Sequence, residues 1–226
     1  MNRRKRARPG CVLATMGLVV ASFAGAQERL GAPPVVTQYC SGCHGLSGKA
    51  QLPYVPRLAG MGAAYLEGRF AAYKAAISPP IDEAFNGIAH LGRPGHQADL
   101  TIAAKADMVG VARLVSDKDA KGAIEWYASR QPAFAKGQNG KTIEQGQRLY
   151  RNGVEAQGLQ ACQSCHGYGA EGSDNAPRLA GQNAAYVFGQ LALFRSGERR
   201  DSPMSDVARH LADDQARAVA TYLQSR

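Results

Sequence analysis

A short string, Cys-x-x-Cys-His, occurs twice in this chain, at residues 40–44 and 162–166. Two thiols three positions apart can bond to the two vinyl groups on one edge of a porphyrin, and the next histidine is carried beneath the ring. Cys-x-x-Cys alone also occurs in zinc and redox sites. Two copies with the histidine therefore predict two covalently attached c-type haems. The predicted attachment residues are Cys40, Cys43, Cys162 and Cys165, and the predicted iron ligands are His44 and His166.

The cysteine count supports the same interpretation. Of the five cysteines, Cys11 lies in an N-terminal segment that we expect to be removed, and the other four lie in the two strings. Each pair could instead close a short disulfide in an oxidising compartment. That alternative gives no role to the histidine after each pair. Once Cys11 is lost, no thiol remains for catalysis or as a second iron ligand.

A longer repeat surrounds the two strings. Residues 56–65 read PRLAGMGAAY and residues 177–186 read PRLAGQNAAY, so eight of ten positions are identical. Further on, residues 112–130 align with 208–226 without a gap. The motif histidines are 122 positions apart but the tails only 96, so the first half holds a net insertion of about 25 residues. The pattern predicts a tandem duplication of one small domain.

The N-terminal segment has the organisation of a signal peptide. A basic stretch precedes an apolar run from Cys11 to about Phe23, and Ala24-Gly25-Ala26 is a small-x-small cleavage site. The alternative, an uncleaved anchor, is disfavoured because the run is short for a bilayer crossing. We therefore predict that residues 1–26 are removed and that the mature chain is periplasmic.

The charge of the chain comes largely from this segment. The sequence has 27 Lys and Arg against 18 Asp and Glu, a net charge of +9. Five of the basic residues and none of the acidic ones lie in residues 1–26, which leaves +4 for the remainder. No basic patch interleaved with aromatic residues is present. Nucleic acid is therefore not an expected partner.

The remaining residues predict an all-α protein of two modules. We expect domain 1 at 27–131, with the insertion at about 75–107, a polar linker at 132–140 and domain 2 at 141–226. Apolar residues near helical spacing predict helices, and Ser116 with Asp119 resembles a capping pair. The predicted helices are 35–39, 62–76, 116–130, 142–151, 183–195 and 213–225.

Each iron needs a sixth ligand or a reason to lack one. Met108 and Met204 each lie four residues before the matching tails, at the same offset of 96. A thioether favours ferrous iron and raises the reduction potential. Met61 competes in the first half, although the second half has glutamine at that position. His90 or His96, within the insertion, could also replace Met108.

Two prolines open the repeated blocks. Pro56 and Pro177 follow the motif histidines by 12 and 11 residues. A backbone carbonyl there could accept the free ring N–H of each histidine, which would fix the tautomer and make the ring a more basic ligand. A plain turn proline is the alternative.

Taken together, these motifs resemble the cytochrome c4 family of dihaem cytochromes c. The resemblance rests on the leader, the Cys-x-x-Cys-His-Gly units, the Pro-Arg-Leu-Ala-Gly blocks with a following tyrosine, and the methionine before each closing helix. It implies two tandem all-α modules of the class I cytochrome c fold. Each would carry one covalent haem c with His/Met iron, packed haem to haem, with the proline carbonyl supporting the histidine.

The resemblance also implies a periplasmic electron carrier. Such a protein takes electrons from a dehydrogenase or a quinol-oxidising complex and delivers them to a terminal oxidase, often at the membrane surface. One alternative is a dihaem enzyme, either a peroxidase or a sulfur-compound oxidoreductase, which needs an open iron and a nearby acid–base or thiolate group. Another alternative is a haem subunit of a larger dehydrogenase complex. We expect the carrier, without substrate turnover.

Overall fold

The regular structure of this chain is helical. The computed structural model describes residues 31–76, 107–134, 140–173, 176–200 and 203–226, and within them it contains two isolated bridges but no strand. This confirms the predicted all-α fold. The described residues from Pro33 onward belong to one compact unit. The predicted signal peptide, His90 and His96 lie outside the described residues.

The helices follow the same order in the two halves. In the first half, a π-helical turn Val36–Cys40 leads into α1 (Ser41–His44), followed by α2 (Ala63–Ala75), the helical residues 107–114 and α3 (Asp117–Ala128). Each helix predicted from the sequence lies within two residues of an observed one. The helices of the second half are α4 (Lys141–Asn152), α5 (Gln163–His166), α6 (Ala184–Ser196), α7 (Met204–Arg209) and α8 (Asp213–Gln224), with a 3-10 turn at Glu155–Gln157.

The closing helices begin with the signals expected from their sequences. At α3 the Ser116 hydroxyl accepts a hydrogen bond from the Asp119 N–H at 3.1 Å. This satisfies one of the amides that a helix start leaves without a partner. At α8 the Gln215 side chain instead reaches back to accept from the Ala212 N–H at 3.0 Å. Acidic residues in the first turn of both helices also favour the positive end of the helix dipole.

The second half is built around the crossing of α4 and α8. Gly146 lies in the middle of α4, where a Cβ atom would come within 2.0 Å of the Ala218 carbonyl oxygen. Only glycine permits this approach of two helix backbones. Around the crossing, a buried cluster includes Leu149, Tyr150 and Leu223. The crossing places the end of α4 beside the second Cys-x-x-Cys-His string.

One tertiary contact is repeated between the halves. The Lys74 ammonium of α2 donates to the Val115 carbonyl at 3.4 Å and to the Asp117 carboxylate at 2.5 Å. It therefore ties α2 to the start of α3. The corresponding contacts of the second half are Arg195 to the Leu211 carbonyl at 3.1 Å and to the Asp213 carboxylate at 2.6 Å.

The described part of the chain that joins the halves is packed. A Cβ at Gly60 would lie 2.5 Å from the Pro132 ring, and one at Gly181 would lie 2.0 Å from the Ala133 carbonyl oxygen. Both glycines have φ near +70°, a conformation that other residues rarely adopt. The start of the predicted linker therefore lies against the repeated turn of each half. None of the helices described is long and apolar enough to cross a membrane.

Candidate haem sites

Each motif histidine ends a short helix. His44 is the last residue of α1 and His166 the last of α5, and both side chains are buried. The next residue is glycine in each case, with φ of +74° at Gly45 and +84° at Gly167. This backbone conformation turns the chain away directly after the histidine. The turn leaves both imidazoles directed into the interior of their own half.

Each imidazole has one ring nitrogen paired with a proline carbonyl. His44 Nδ1 lies 3.0 Å from Pro56 O, and His166 Nδ1 lies 2.9 Å from Pro177 O. A carbonyl oxygen can only accept, so the proton of the neutral ring lies on Nδ1. The lone pair then lies on Nε2. In both halves the structure thus presents Nε2 as the free ligand atom.

Burial also sets the protonation state of these rings. Desolvation lowers the pKa of His44 and of His166, and it outweighs the opposite effect of the bond to the proline carbonyl. The neutral imidazole, which is the form that binds metals, is therefore favoured.

The four motif cysteines are unpaired in the structure. The first of each pair is half-buried and the second is exposed. Burial raises the pKa of Cys40 and of Cys162 to about 11. The thiols are therefore free to form thioether bonds, and the disulfide alternative is not observed.

A cavity of about 380 Å³ lies beside His44. Its wall also includes Cys40, Cys43 and Met108, so the predicted attachment and ligand residues of the first half line a single space. Met61 lines it as well, but is packed with Leu66 and Ile124 in a buried cluster. The volume is in the range of small-molecule sites. The donor set and this largely apolar wall fit a covalently bound porphyrin.

The second half has the same order of donors. Cys162 packs against the main core cluster together with Leu179 and Val207. Met204 is the first residue of α7 and is half-buried. No group of three or more His, Cys, Asp or Glu side chains in the described regions could hold a separate metal ion.

The second half contributes to the cavity of the first. Tyr186 and Gln190 of α6 line the cavity beside His44. Arg199 donates to Gln190 Oε1 at 2.6 Å and to the Tyr65 hydroxyl, across the halves, at 3.3 Å. Burial raises the pKa of Tyr186 well above its usual range. No sequence pattern identifies this set, because Tyr65 lies more than 120 positions before the other three residues.

Two further residues, to which the sequence assigned no role, join the halves directly. Gln182 and Asn183 are buried and bond to the backbone of the Leu52–Arg57 segment. A signal for them was present in the sequence. They occupy the two positions at which the repeated ten-residue blocks differ, where the first half has Met61 and Gly62.

Comparison with known proteins indicates the family of the chain. The family described as Cytochrome c matches residues 143–226. Cytochrome c4 of Stutzerimonas stutzeri is 30% identical over 94% of this chain and 95% of the relative. A thiosulfate dehydrogenase electron acceptor of Stutzerimonas stutzeri strain A1501 is 42% identical over 81% of this chain and 76% of the relative.

A solved structure extends the likeness to the fold. Reduced recombinant cytochrome c4 from Pseudomonas stutzeri superposes on this chain with a TM-score of 0.68 at 29% sequence identity. The match covers 89% of this chain and 97% of the chain in the solved structure. The two motifs account for the two covalent haems of such a protein. The chain belongs to the cytochrome c4 family, whose members carry electrons on two haems c held in tandem cytochrome c domains.

Proposed function

We propose that this protein is a periplasmic carrier that takes electrons from a thiosulfate-oxidising dehydrogenase and passes them to a respiratory acceptor such as a terminal oxidase. The main observation that supports a redox site is the cavity beside His44. Both thiols of the first motif, the imidazole with its fixed tautomer and Met108 all line it. When bound, a haem c supplies one-electron chemistry at iron.

The role of the side chains in this proposal is to hold and tune that group. We assign Cys40, Cys43, Cys162 and Cys165 to the thioether bonds, and Pro56 and Pro177 to support of the axial histidines. The proposed iron ligands are His44 and Met108 in one half, and His166 and Met204 in the other. If these side chains hold each iron, no open position would remain for substrate. That arrangement suits electron transfer rather than turnover at the metal.

The proposed location rests on the N-terminal sequence. Residues 1–26 have the basic start, apolar run and cleavage site of a signal peptide, and the described helices include none that could span a membrane. The domain boundaries of 27–131 and 141–226, joined by 132–140, remain part of the proposal. We expect any contact with the membrane to be peripheral, at its surface.

The choice of donor rests on the relatives and on stoichiometry. One relative is named for accepting electrons from thiosulfate dehydrogenase and is 42% identical, against 30% for the cytochrome c4 of the same genus. Joining two thiosulfate ions through a new sulfur–sulfur bond gives one tetrathionate ion and releases two electrons. Two one-electron centres can accept both of them from a single oxidation event.

Anaerobic stopped-flow absorbance tests the assignment. The oxidised carrier is mixed with a c-type thiosulfate dehydrogenase and thiosulfate, and a single-haem c-type cytochrome serves as the control acceptor. We expect both haems to be reduced faster than the control, and only when dehydrogenase and thiosulfate are both present. Reduction no faster than the control would contradict the proposed donor. Reduction by thiosulfate without the dehydrogenase would instead indicate an enzyme.

A further inference from the structure

The Pro56–Arg57 peptide group is bonded on both sides. Its carbonyl oxygen accepts from the ring N–H of His44 at 3.0 Å, and its N–H donates to the side-chain oxygen of Gln182 at 2.8 Å. These three groups form one hydrogen-bonded chain, His44–peptide–Gln182. It begins at the imidazole of the first half and ends on a side chain of the second half.

The Gln182 side chain is buried and makes further hydrogen bonds. Gln182 is 3% exposed, and its amide nitrogen donates to the Arg57 carbonyl at 3.0 Å. Its oxygen also accepts from the N–H of Asn183 at 3.0 Å. Next to it, the Arg57 guanidinium donates to the Gly181 carbonyl at 2.5 Å. With two bonds to the backbone of Arg57, the amide orientation of Gln182 is fixed.

We propose that Gln182 of the second half tunes the iron ligand of the first half through this peptide, and thereby lowers the reduction potential of the first haem. Hydrogen bonds in a chain polarise one another, so an acceptor on the peptide N–H makes the carbonyl a stronger acceptor for His44. A stronger bond at Nδ1 makes the imidazole a more basic ligand, which favours ferric iron. Gln182 is thus a positioning residue.

The hydrogen-bonded chain runs from the second half to the first haem site, and it has no counterpart at the equivalent position for the second. The position equivalent to Gln182 in the first half is Met61, whose thioether can neither donate to nor accept from a peptide as an amide does. Met61 is instead buried against Leu66 and Ile124 within its own half. His166 and Pro177 therefore have no matching amide from the position equivalent to Gln182. The asymmetry predicts that losing Gln182 affects one haem and not the other.

The main test is Gln182→Met, which places the first half's own residue at this position. We expect the midpoint potential of one haem to rise. The ratio of oxidised to reduced first haem at the wild-type midpoint should change by about two- to tenfold, and the second midpoint should stay fixed. In the reduced, ¹⁵N-histidine-labelled protein, the Nδ1 proton of His44 should move to lower chemical shift while that of His166 does not.

Two further variants separate tuning from mere loosening. Gln182→Glu keeps an acceptor on the Arg57 N–H and, as a carboxylate, a stronger one, so the first potential should fall and the His44 proton should move the opposite way. Asn183→Ala removes bonds to the carbonyls of Leu52 and Val55 but spares the Arg57 peptide. It should leave both potentials unchanged.

Three results would overturn the inference: an unchanged first midpoint in Gln182→Met, an equal change in both midpoints, or the same change in Asn183→Ala. The inference rests on the axial role proposed above for His44. Haem content and the absorption spectrum of each variant check that role separately. If two haems are bound with wild-type spectra and the potentials do not respond, only the tuning by Gln182 is wrong.

Discussion

At the scale of single residues, the proposed methionine ligands would decide what each iron can do. Met204 stands at the first residue of α7, and its position 96 residues after Met108 places the two in equivalent parts of the repeat. A soft thioether stabilises ferrous iron more than water or nitrogen ligands do. A filled sixth position also excludes external ligands. The assignment therefore has consequences for both potential and ligand binding.

Replacing Met204 with alanine should open the second iron. We expect the midpoint potential of one haem to fall, and added imidazole to bind at least about tenfold more tightly than to the wild type, since no thioether competes. Redox titration followed by absorbance, with an imidazole titration of the oxidised protein, measures both effects. An unchanged spectrum and potential would remove Met204 from the ligand set.

The first half offers a matched comparison between two methionines. Met108 and Met61 both line the cavity beside His44, but Met61 packs in a cluster with Leu66 and Ile124. We expect Met108→Ala to lower the first potential and admit imidazole. Met61→Ala should keep the spectrum and cost about 2–5 kcal/mol of stability as a core truncation. The same titrations with denaturant unfolding distinguish them, and a reversed pattern would assign Met61 as the ligand.

At the scale of elements, the two halves make one equivalent hydrogen bond with different helices. The carbonyl of the glycine after each motif histidine receives a tyrosine hydroxyl. In the first half this is Tyr127 of α3 on Gly45, at 3.1 Å, and in the second half it is Tyr150 of α4 on Gly167, at 2.6 Å. Position 223, the repeat partner of Tyr127, is a leucine. The bond has thus been kept while its donor changed.

The crossing of α4 and α8 leaves no room for an added side chain at Gly146. Gly146→Ala would place a Cβ 2.0 Å from the Ala218 carbonyl oxygen and 2.7 Å from the Tyr222 Cβ. The helices must then move apart, and we expect the free energy of unfolding of the haem-bound protein to fall by about 1–3 kcal/mol. Denaturant unfolding followed by circular dichroism measures this.

A glycine in α3 provides the control for that substitution. A Cβ at Gly122 would meet no atom within 4 Å. Gly122→Ala should therefore leave stability unchanged or raise it by up to about 1 kcal/mol, because alanine loses less backbone entropy in a helix. Equal effects at both glycines would show that the crossing can adjust.

The sequence was sufficient for most of the helices because their signals are local. Apolar spacing and capping residues such as Ser116 predicted six helices, each within two residues of an observed one. The short helices α1, α5 and α7 were not predicted. The proline carbonyls could be proposed for the same reason, since each follows its histidine in a short connection. The contacts of Arg199 with Tyr65 and of Gln182 with Arg57 join residues more than 120 positions apart. No periodicity encodes such distances, although a break in the repeat marked Gln182.

At the scale of the whole molecule, several of the described hydrogen bonds between the halves end on backbone groups. Asn183 donates to the carbonyls of Leu52 and Val55 at 3.0 Å each, while Gln182 bonds to both the backbone N–H and the backbone carbonyl of Arg57. Backbone partners constrain the position of a segment regardless of its side chains. The segment held in this way also carries Pro56, whose carbonyl supports His44. The interface and the first haem site therefore share one loop.

Asn183→Ala tests how far this joint couples the stability of the halves. The variant leaves two carbonyls without their donor, so we expect the free energy of unfolding to fall by about 1–3 kcal/mol. The transition in denaturant should also broaden, because the halves then unfold less as one unit. Gln160→Ala is the control, since it removes only an exposed bond to Ser164 and should stay within about 0.5 kcal/mol of the wild type. If Asn183→Ala behaves like this control, the bonds of Asn183 to Leu52 and Val55 do not couple the stability of the halves.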